Sequence, residues 1–263
     1  MEDNIVTESN LLGIISEALL EAGNIALKFE NQNLNLAYKS PSQPVTDADI
    51  EINNFLRLFF KKNTPTFGWL SEESDDDMSR FQCDYFWCVD PIDGTRSFIN
   101  KKPEYTISVA LIKKSKPIFG IIYNPRTKEL FHAEKNKGAY CNRKKIFVSE
   151  KKELEEATLA ISTSESKIFE KKNIKKKKLL KIGSIAYKIA LVAKGTIDAT
   201  VSITKKNDWD VAAADLILRE AGGVTSELKG NEIVYNSVDL KVSSIISSNK
   251  ILHNKIFKSI NDR

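Results

Sequence analysis

Histidine and cysteine are scarce in this chain. Its 263 residues include only two histidines, His132 and His253, and three cysteines, Cys83, Cys88 and Cys141. So few histidines disfavour a histidine-based catalytic triad and a histidine-rich zinc site. The cysteines form no pairing framework and no metal-type spacing, which fits a reducing compartment. We therefore expect any bound metal to be held by oxygen, which favours Mg²⁺, Mn²⁺ or Ca²⁺.

Long apolar runs are missing as well. No stretch approaches the roughly 18 apolar residues of a membrane span, and the acidic start Met1–Asn4 does not resemble a secretory signal. We therefore expect a cytoplasmic protein without a membrane span. A hydrophobic content of 41% and a charged content of 29% are typical of a globular chain with one large domain or two closely packed ones.

Positive charge is concentrated in one segment. The net charge is +5, and residues Lys171–Lys181 hold seven lysines. This composition predicts a solvated surface loop, and the alternative is a patch that attracts polyanions. No aromatic residue lies among the lysines after Ile174 to stack on bases, so we do not expect a nucleic-acid partner.

The apolar pattern changes character near residue 150. Helical spacing predicts helices over residues 6–30 and from Ile50 to about Lys61, with a Ser/Pro-rich loop over 37–46 between them. Strand-like runs follow at Tyr85–Val89, Thr106–Ile112, Pro117–Tyr123 and Glu129–Ala133. Beyond residue 150, strands and helices alternate. We therefore expect an α+β half with an antiparallel sheet over 1–150 and an α/β half over 151–263.

The most informative stretch follows the first of these strands. Asp90 and Asp93 flank a tight Pro91-Ile92 turn, and Gly94-Thr95 then open a short helix. Carboxylates crowded at a strand end repel one another unless a cation lies between them. Free N–H groups at a helix start attract an anion. A cation site beside an anion site indicates metal-assisted chemistry on a phosphate.

Three further acids lie at element boundaries. Asp49 and Asp210 each begin a predicted helix, and Glu72 follows a short apolar piece. Taken singly, Asp49 and Asp210 could be ordinary first-turn acids and Glu72 a surface acid. The Asp-Pro-Ile-Asp-Gly stretch could likewise be a plain turn.

Read in order, the acidic motifs resemble those of the inositol monophosphatase superfamily. The matching pieces are Thr46-Asp47-Ala48-Asp49, Ser71-Glu72-Glu73, Asp90-Pro91-Ile92-Asp93-Gly94-Thr95 and Trp209-Asp210-Val211-Ala212-Ala213-Ala214. The resemblance runs from about residue 6 to the last helix. It implies a layered αβαβα sandwich, α+β and α/β in its halves, with most metal ligands in 1–150 and the active site completed by 151–263. It also implies a Li⁺-sensitive, Mg²⁺-dependent phosphomonoesterase with two or three metal ions and water as the attacking group.

The resemblance assigns roles to individual positions. Glu72, Thr95 and Asp93 would be catalytic, with Thr95 and Glu72 orienting the water. Glu72, Asp90 and the carbonyl of Ile92 would hold one metal, and Asp90, Asp93 and Asp210 the second. Asp49, with Glu72, would serve a weaker third metal. The substrate would meet Gly94, Thr95, Arg96, Gly183, Ser184 and Asp210.

The substrate is less clear than the reaction. Inositol enzymes usually carry an acidic residue seven positions before the Trp-Asp aspartate, where this chain has Ile203. Arg96 offers a cation for a second phosphate, or is a surface arginine. Segments such as Pro103–Leu111 are similar to the bacterial 3′(2′),5′-bisphosphate nucleotidase branch. We therefore expect the 3′-phosphate of adenosine 3′,5′-bisphosphate as substrate, with inositol 1-phosphate and histidinol phosphate as alternatives.

Two expectations concern partners. The resemblance implies a homodimer that acts on a small phosphorylated metabolite. A non-enzymatic alternative is a binding partner of RNA or the transcription machinery, as for some relatives. The full set of acids favours the enzyme.

Overall fold

Helices and sheets alternate in five layers, with a helical layer outside each sheet and one between them. The computed structural model describes residues 11–32, 35–40, 43–166 and 178–261. Its α-helices over those ranges are α1 (Leu11–Glu30), α2 (Asp47–Asn63), α3 (Thr95–Ile99), α4 (Ile185–Ala193), α5 (Asp208–Glu220) and α6 (Lys250–Asn261). The expected layered sandwich is confirmed.

A hairpin and a seven-stranded sheet occupy the first half. The hairpin joins β1 (Leu36–Ser40) to β2 (Gln43–Thr46), where sequence patterns predicted only a loop. The sheet runs in chain order through β3 (Gly68–Ser71), β4 (Tyr85–Asp93), β5 (Thr106–Lys113), β6 (Lys116–Asn124), β7 (Glu129–Glu134), β8 (Ala139–Cys141) and β9 (Lys144–Lys145). It is antiparallel apart from the parallel pair β3–β4.

A mixed five-stranded sheet occupies the second half. Its strands are β10 (Thr158–Ile161), β11 (Lys178–Lys181), β12 (Ala199–Ser202), β14 (Gly223–Ser226) and β16 (Ile245–Asn249), in the order β11-β10-β12-β16-β14. The pairs β10–β11 and β10–β12 are parallel, and the others are antiparallel. A short ladder joins β13 (Lys206–Asn207) to β15 (Lys241–Val242). Of the predicted lysine-rich loop, residues 171–177 lie outside the described chain and 178–181 form β11.

Both faces of the larger sheet are buried, which explains its nearly continuous apolar strands. Along β5, Ile107, Val109 and Leu111 pack in the cluster that contains α1 and α2. The alternate residues Ala110 and Ile112 pack in the cluster that contains α4 and α5. This period of two is the geometry of a strand with helices on either side.

Helix α5 packs closely on the larger sheet because small residues meet there. A Cβ built on Gly120 of β6 would lie 2.7 Å from the carbonyl oxygen of Ala213 and 3.0 Å from its Cα. Glycine on the strand and alanine on the helix therefore set the distance between the two layers. This contact matters for function, since α5 also carries Asp210. None of the helices in the described ranges is long and apolar enough to cross a membrane.

Candidate active site

The end of β4 carries two carboxylates, Asp90 and Asp93. Apolar residues bury the first part of the strand, and the ladder with β5 is regular up to Asp90. Its register then shifts before Asp93 pairs with Thr106. Pro91 lies in this irregular stretch and has no N–H to give to a ladder. The irregularity lies between the two acids and interrupts the regular pairing there, as a β-bulge does beside many active sites.

Three carboxylates from separate segments converge at this point. Glu72, Asp90 and Asp210 each offer an oxygen, and these atoms lie within 4.8 Å of one another. Glu72 follows β3, whose parallel pairing with β4 places it beside Asp90, and its N–H donates to the carbonyl of Val89 at 3.2 Å. Asp210 arrives from the first turn of α5. Clustered carboxylate oxygens are the donor set that Mg²⁺ prefers.

Asp90 is the most informative member of this triad. The residue is 1% exposed, and its Oδ1 accepts a 3.0 Å hydrogen bond from the N–H of Ile92. Its Oδ2 is buried and has no hydrogen-bond partner among the described residues. Burial raises the pKa of Asp90 well above its usual value, and the charges of Glu72, Asp93 and Asp210 raise it further. A buried, unpartnered carboxylate oxygen among like charges fits a divalent cation.

Asp49 and Asp210 also begin helices. Asp49 closes a capping box at α2, because its Oδ2 accepts from the N–H of Thr46 at 2.8 Å and from the Thr46 hydroxyl at 2.6 Å. Asp210 closes a capping box at α5, because its Oδ2 accepts a hydrogen bond from the N–H of Asn207 at 2.6 Å. Burial first, and then neighbouring carboxylates, raise the pKa of Asp49 to about 7 and that of Asp210 to about 8. A carboxylate that caps a helix while facing other acids holds its position without a metal.

Asp93 lies in the same cleft but outside the triad of mutually close oxygens. Its Oδ2 accepts hydrogen bonds from the Ser184 hydroxyl and, at 2.6 Å, from the N–H of Ala186. The Thr95 hydroxyl donates to the carbonyl of Ile92 at 3.1 Å and approaches Oδ1 of Asp49 at 3.4 Å. Thr95 therefore joins α3 to both acidic segments.

The β1–β2 hairpin adds a cation beside Glu72. Lys39 donates to Oε1 of Glu72 at 3.2 Å and to its carbonyl at 3.3 Å, and it forms a short ion pair with Glu73. Its ammonium therefore balances part of the negative charge at the open side of the triad.

A cleft of about 210 Å³ is lined by acidic residues and by lysines, which we call its acidic wall and its basic wall. Glu72, Asp93 and Asp210 form the acidic wall, and the cations that line the cleft within the described ranges are Lys188, Lys205 and Lys206. Lys188 is fully buried on α4, and its Nζ has no hydrogen-bond partner among the described residues. Burial lowers its pKa to about 8. An ammonium in that position favours an anion in the cleft.

Arg96 and Ile203 are placed differently from the lysines. Arg96 is exposed on α3. Ile203 packs against the apolar cluster that includes Leu159 and Val201, so its side chain belongs to the smaller sheet's core.

Two glycines shape the entrance to α3 and α4. Gly94 has a φ of 97°, and a Cβ there would lie 2.9 Å from the carbonyl oxygen of Glu104 and 3.2 Å from Cβ of Ser184. A Cβ on Gly183, which lines the cleft, would overlap the Ser97 hydroxyl. Both positions therefore need glycine for the two halves to approach each other.

Sequence reasoning missed several residues of the cleft. Lys188 left a signal, because it is the only charged residue in the apolar helix Ile185–Ala193. The sequence also indicates Asn207, since a helix-capping residue three positions before an acid has the spacing of a capping box. No sequence pattern indicates Lys39, because its contacts with Glu72 and Glu73 depend on the β1–β2 pairing.

Comparison with known proteins agrees with the fold. A model of the inositol monophosphatase family matches residues 8–263, and this chain belongs to that family. An inositol-1-monophosphatase of Rhizobium meliloti (strain 1021) is 30% identical over 256 residues, covering 93% of this chain and 94% of the relative. The solved structure of an IMPase from Thermotoga maritima matches with a TM-score of 0.86 and 27% identity, over 96% of this chain and 97% of that one.

A third relative carries a different name. The Nus factor SuhB of Xylella fastidiosa (strain Temecula1 / ATCC 700964) is 31% identical over 232 residues, covering 83% of this chain and 82% of the relative. Family membership supports phosphatase activity, and members of this family are metal-dependent, typically on Mg²⁺.

Proposed function

We propose that this protein is a Mg²⁺-dependent phosphomonoesterase that acts at the cleft between β4 and α5. The observation that carries the proposal is the convergence of Glu72, Asp90 and Asp210, with the buried and unpartnered Oδ2 of Asp90 at its centre. Glu72, Asp90, the carbonyl of Ile92 and Asp210 would hold the metal ions, with Asp93 and Asp49 as further ligands. Bound Mg²⁺ would offset the negative charge of the phosphate and lower the pKa of a water molecule.

The remaining polar groups would position the reactants. The Thr95 hydroxyl, fixed between Ile92 and Asp49, would orient the attacking water together with Glu72. The N–H groups of Gly94 and Thr95 would donate hydrogen bonds to the phosphate oxygens. Ser184 and Ala186 hold Asp93 in place, so the start of α4 contributes to the site from the other half of the chain.

Adenosine 3′,5′-bisphosphate is the substrate that we favour. Its second phosphate needs a cation, and the cleft is lined by Lys188, Lys205 and Lys206. Ile203 supports this choice, because an aliphatic side chain packed in an apolar cluster offers no acceptor to inositol hydroxyls.

Inositol 1-phosphate is the second candidate. It is favoured by the inositol-monophosphatase names of the relatives from Rhizobium meliloti and Thermotoga maritima.

A homodimer and a role with RNA remain predictions. The latter is supported by the Nus factor name of one relative and would be tested by a salt-dependent RNA pull-down with Lys175–Lys178 changed to serine.

A substrate panel tests the proposal. We expect purified protein with Mg²⁺ to hydrolyse adenosine 3′,5′-bisphosphate with a kcat/KM at least about tenfold above that for inositol 1-phosphate or histidinol phosphate, as a charged contact to a second phosphate would give. Excess EDTA should abolish activity and added Mg²⁺ should restore it. Full activity in EDTA would contradict the metal site, whereas a tenfold preference for inositol 1-phosphate would overturn only the substrate.

A further inference from the structure

Glu165 is a buried carboxylate behind the basic wall of the cleft. It ends the 3₁₀ turn Thr163–Glu165, which follows β10, and it is 1% exposed. Its Oε2 accepts a short hydrogen bond from the Ser162 hydroxyl. Burial acts to raise the pKa of Glu165, but hydrogen bonds and the charge of Lys206 outweigh it, so the pKa is lowered and the group stays ionised.

The other oxygen of Glu165 holds the turn that follows β12. Oε1 accepts from the Ser202 hydroxyl at 2.9 Å, from the N–H of Ile203 at 2.7 Å, and from both the N–H and the hydroxyl of Thr204 at 3.0 and 3.1 Å. A single carboxylate thus fixes three consecutive residues. The chain after this turn leads directly to the cleft.

Two cleft lysines depend on this carboxylate. Lys206 donates to the Thr204 hydroxyl at 2.7 Å, and that hydroxyl donates to Glu165. Burial lowers the pKa of the Lys188 ammonium and Lys206 lowers it further, whereas the charges of Glu165 and Asp93 act to raise it. Lys188 and Lys206 both line the cleft. Glu165 therefore supports the basic wall without lining the cleft, and its own acceptor sites are filled by the chain.

We propose that Glu165 is a positioning residue that fixes Lys206 through Thr204 and balances the charge of Lys188, so that the two lysines form an anion subsite for the part of the substrate that leaves. This rests on the proposed phosphatase function and names the chemistry of its leaving group, which carries a phosphate or another anion. Without Glu165, the turn at Ser202–Thr204 loses its common acceptor and Lys188 loses its main counter-charge. Phosphate transfer at the metal ligands is left intact, so binding should suffer more than turnover.

A pair of variants tests this role. Glu165→Gln keeps the shape of the side chain and removes its charge, and Lys188→Met removes the buried ammonium. For each variant, kcat and KM are measured at saturating Mg²⁺ with adenosine 3′,5′-bisphosphate and with p-nitrophenyl phosphate, which has no second anion. Glu156→Gln serves as the matched control, since its side chain is 63% exposed.

We expect Glu165→Gln to raise KM for the bisphosphate about tenfold, the size of one lost charged contact, with kcat within about twofold. Both constants for p-nitrophenyl phosphate should stay within about twofold of wild type. Because the two residues act through one subsite, the double variant should lose less affinity than the sum of the two single losses. Equal losses on both substrates, independent effects of the two changes, or a changed melting temperature with unchanged KM would each overturn the proposal.

A product-type inhibitor separates this inference from the choice of substrate. Adenosine 5′-monophosphate carries only the 5′-phosphate of the bisphosphate. Its competitive inhibition of inositol 1-phosphate hydrolysis therefore measures binding at the anion subsite without turnover of the bisphosphate. An inhibition constant raised about tenfold by Glu165→Gln supports the subsite even if the bisphosphate is not hydrolysed. The absence of inhibition of the wild type overturns the subsite.

Discussion

Ser184 donates a hydrogen bond to Asp93 and so joins the start of α4 to the end of β4. The same hydroxyl accepts from the N–H of Tyr187 at 2.9 Å and caps α4. One side chain therefore begins a helix of the second half and orients an acid of the first.

Replacing Ser184 by alanine should reduce both stability and activity. Loss of the cap should lower the free energy of unfolding by about 1 kcal/mol, and loss of the donor to Asp93 should lower kcat about tenfold. Urea unfolding and steady-state kinetics measure the two effects. Ser115→Ala, at the half-buried turn between β5 and β6, is the control, and a wild-type kcat in Ser184→Ala would show that Asp93 does not need this donor.

Replacing Asp90 by asparagine should separate stability from catalysis. We expect kcat to fall at least about a hundredfold, a barrier increase of roughly 3 kcal/mol. In EDTA the variant should nevertheless melt at a higher temperature than wild type, because a buried negative charge beside Glu72 and Asp210 has been removed. Asp84→Asn changes an exposed acid just before the same strand and should alter neither property. A lower melting temperature in EDTA would argue against repulsion at this site.

Stability without metal should fall as the pH rises from about 4 to about 8. The pKa values of Asp49 and Asp210 are raised to about 7 and about 8 in the folded chain, above the roughly 3.9 of an unfolded aspartate. The folded state therefore binds more protons over this window, and their loss destabilises it.

Mg²⁺ should reverse this trend. Its stabilising effect should be larger at pH 8 than at pH 5.5, where protons compete for the same oxygens. Melting curves at both pH values, with EDTA or with Mg²⁺, measure the difference. An equal Mg²⁺ effect at the two pH values would show that these carboxylates are not the ligands.

Two glycine substitutions should change the stability of the chain in opposite directions. Gly120→Ala would force α5 away from the larger sheet at Ala213, and we expect a loss of about 1–3 kcal/mol in stability with reduced kcat, because α5 carries Asp210. Gly13→Ala, in α1, meets nothing within 4 Å and should stabilise the chain by up to about 1 kcal/mol through helix propensity. Denaturant unfolding and a turnover assay check both, and a Gly120→Ala protein as stable as wild type would mean that the layers can separate freely.

The sequence predicted long elements better than short ones. The strand at Thr106–Lys113 was expected almost to the residue, because both of its faces are apolar. Sequence patterns predict only a loop over residues 37–46, whereas the structure pairs Leu36–Ser40 with Gln43–Thr46. Serine and proline suppress the strand signal there, and the pairing depends on a partner strand.

The acids of the site could be named from motifs, but their surroundings could not. The resemblance placed Glu72, Asp90 and Asp210 in one site, and the structure brings their oxygens together. The lysines of the same cleft come from α4 and from the segment before α5, so only tertiary packing makes them neighbours. Glu165 gave no local signal, because its five donors come from residues up to 39 positions away.

The capping box at α5 ties the spacing of the chain to the geometry of the site. Asn207 begins the helix and Asp210 both closes the box and faces the other acids. Inserting a single residue between them would swing the carboxylate by about 100° around the helix axis and leave the helix start without its acceptor. Length variation in this region is therefore tolerable only before Asn207 or beyond the first turn of α5, while the three-residue interval itself stays fixed.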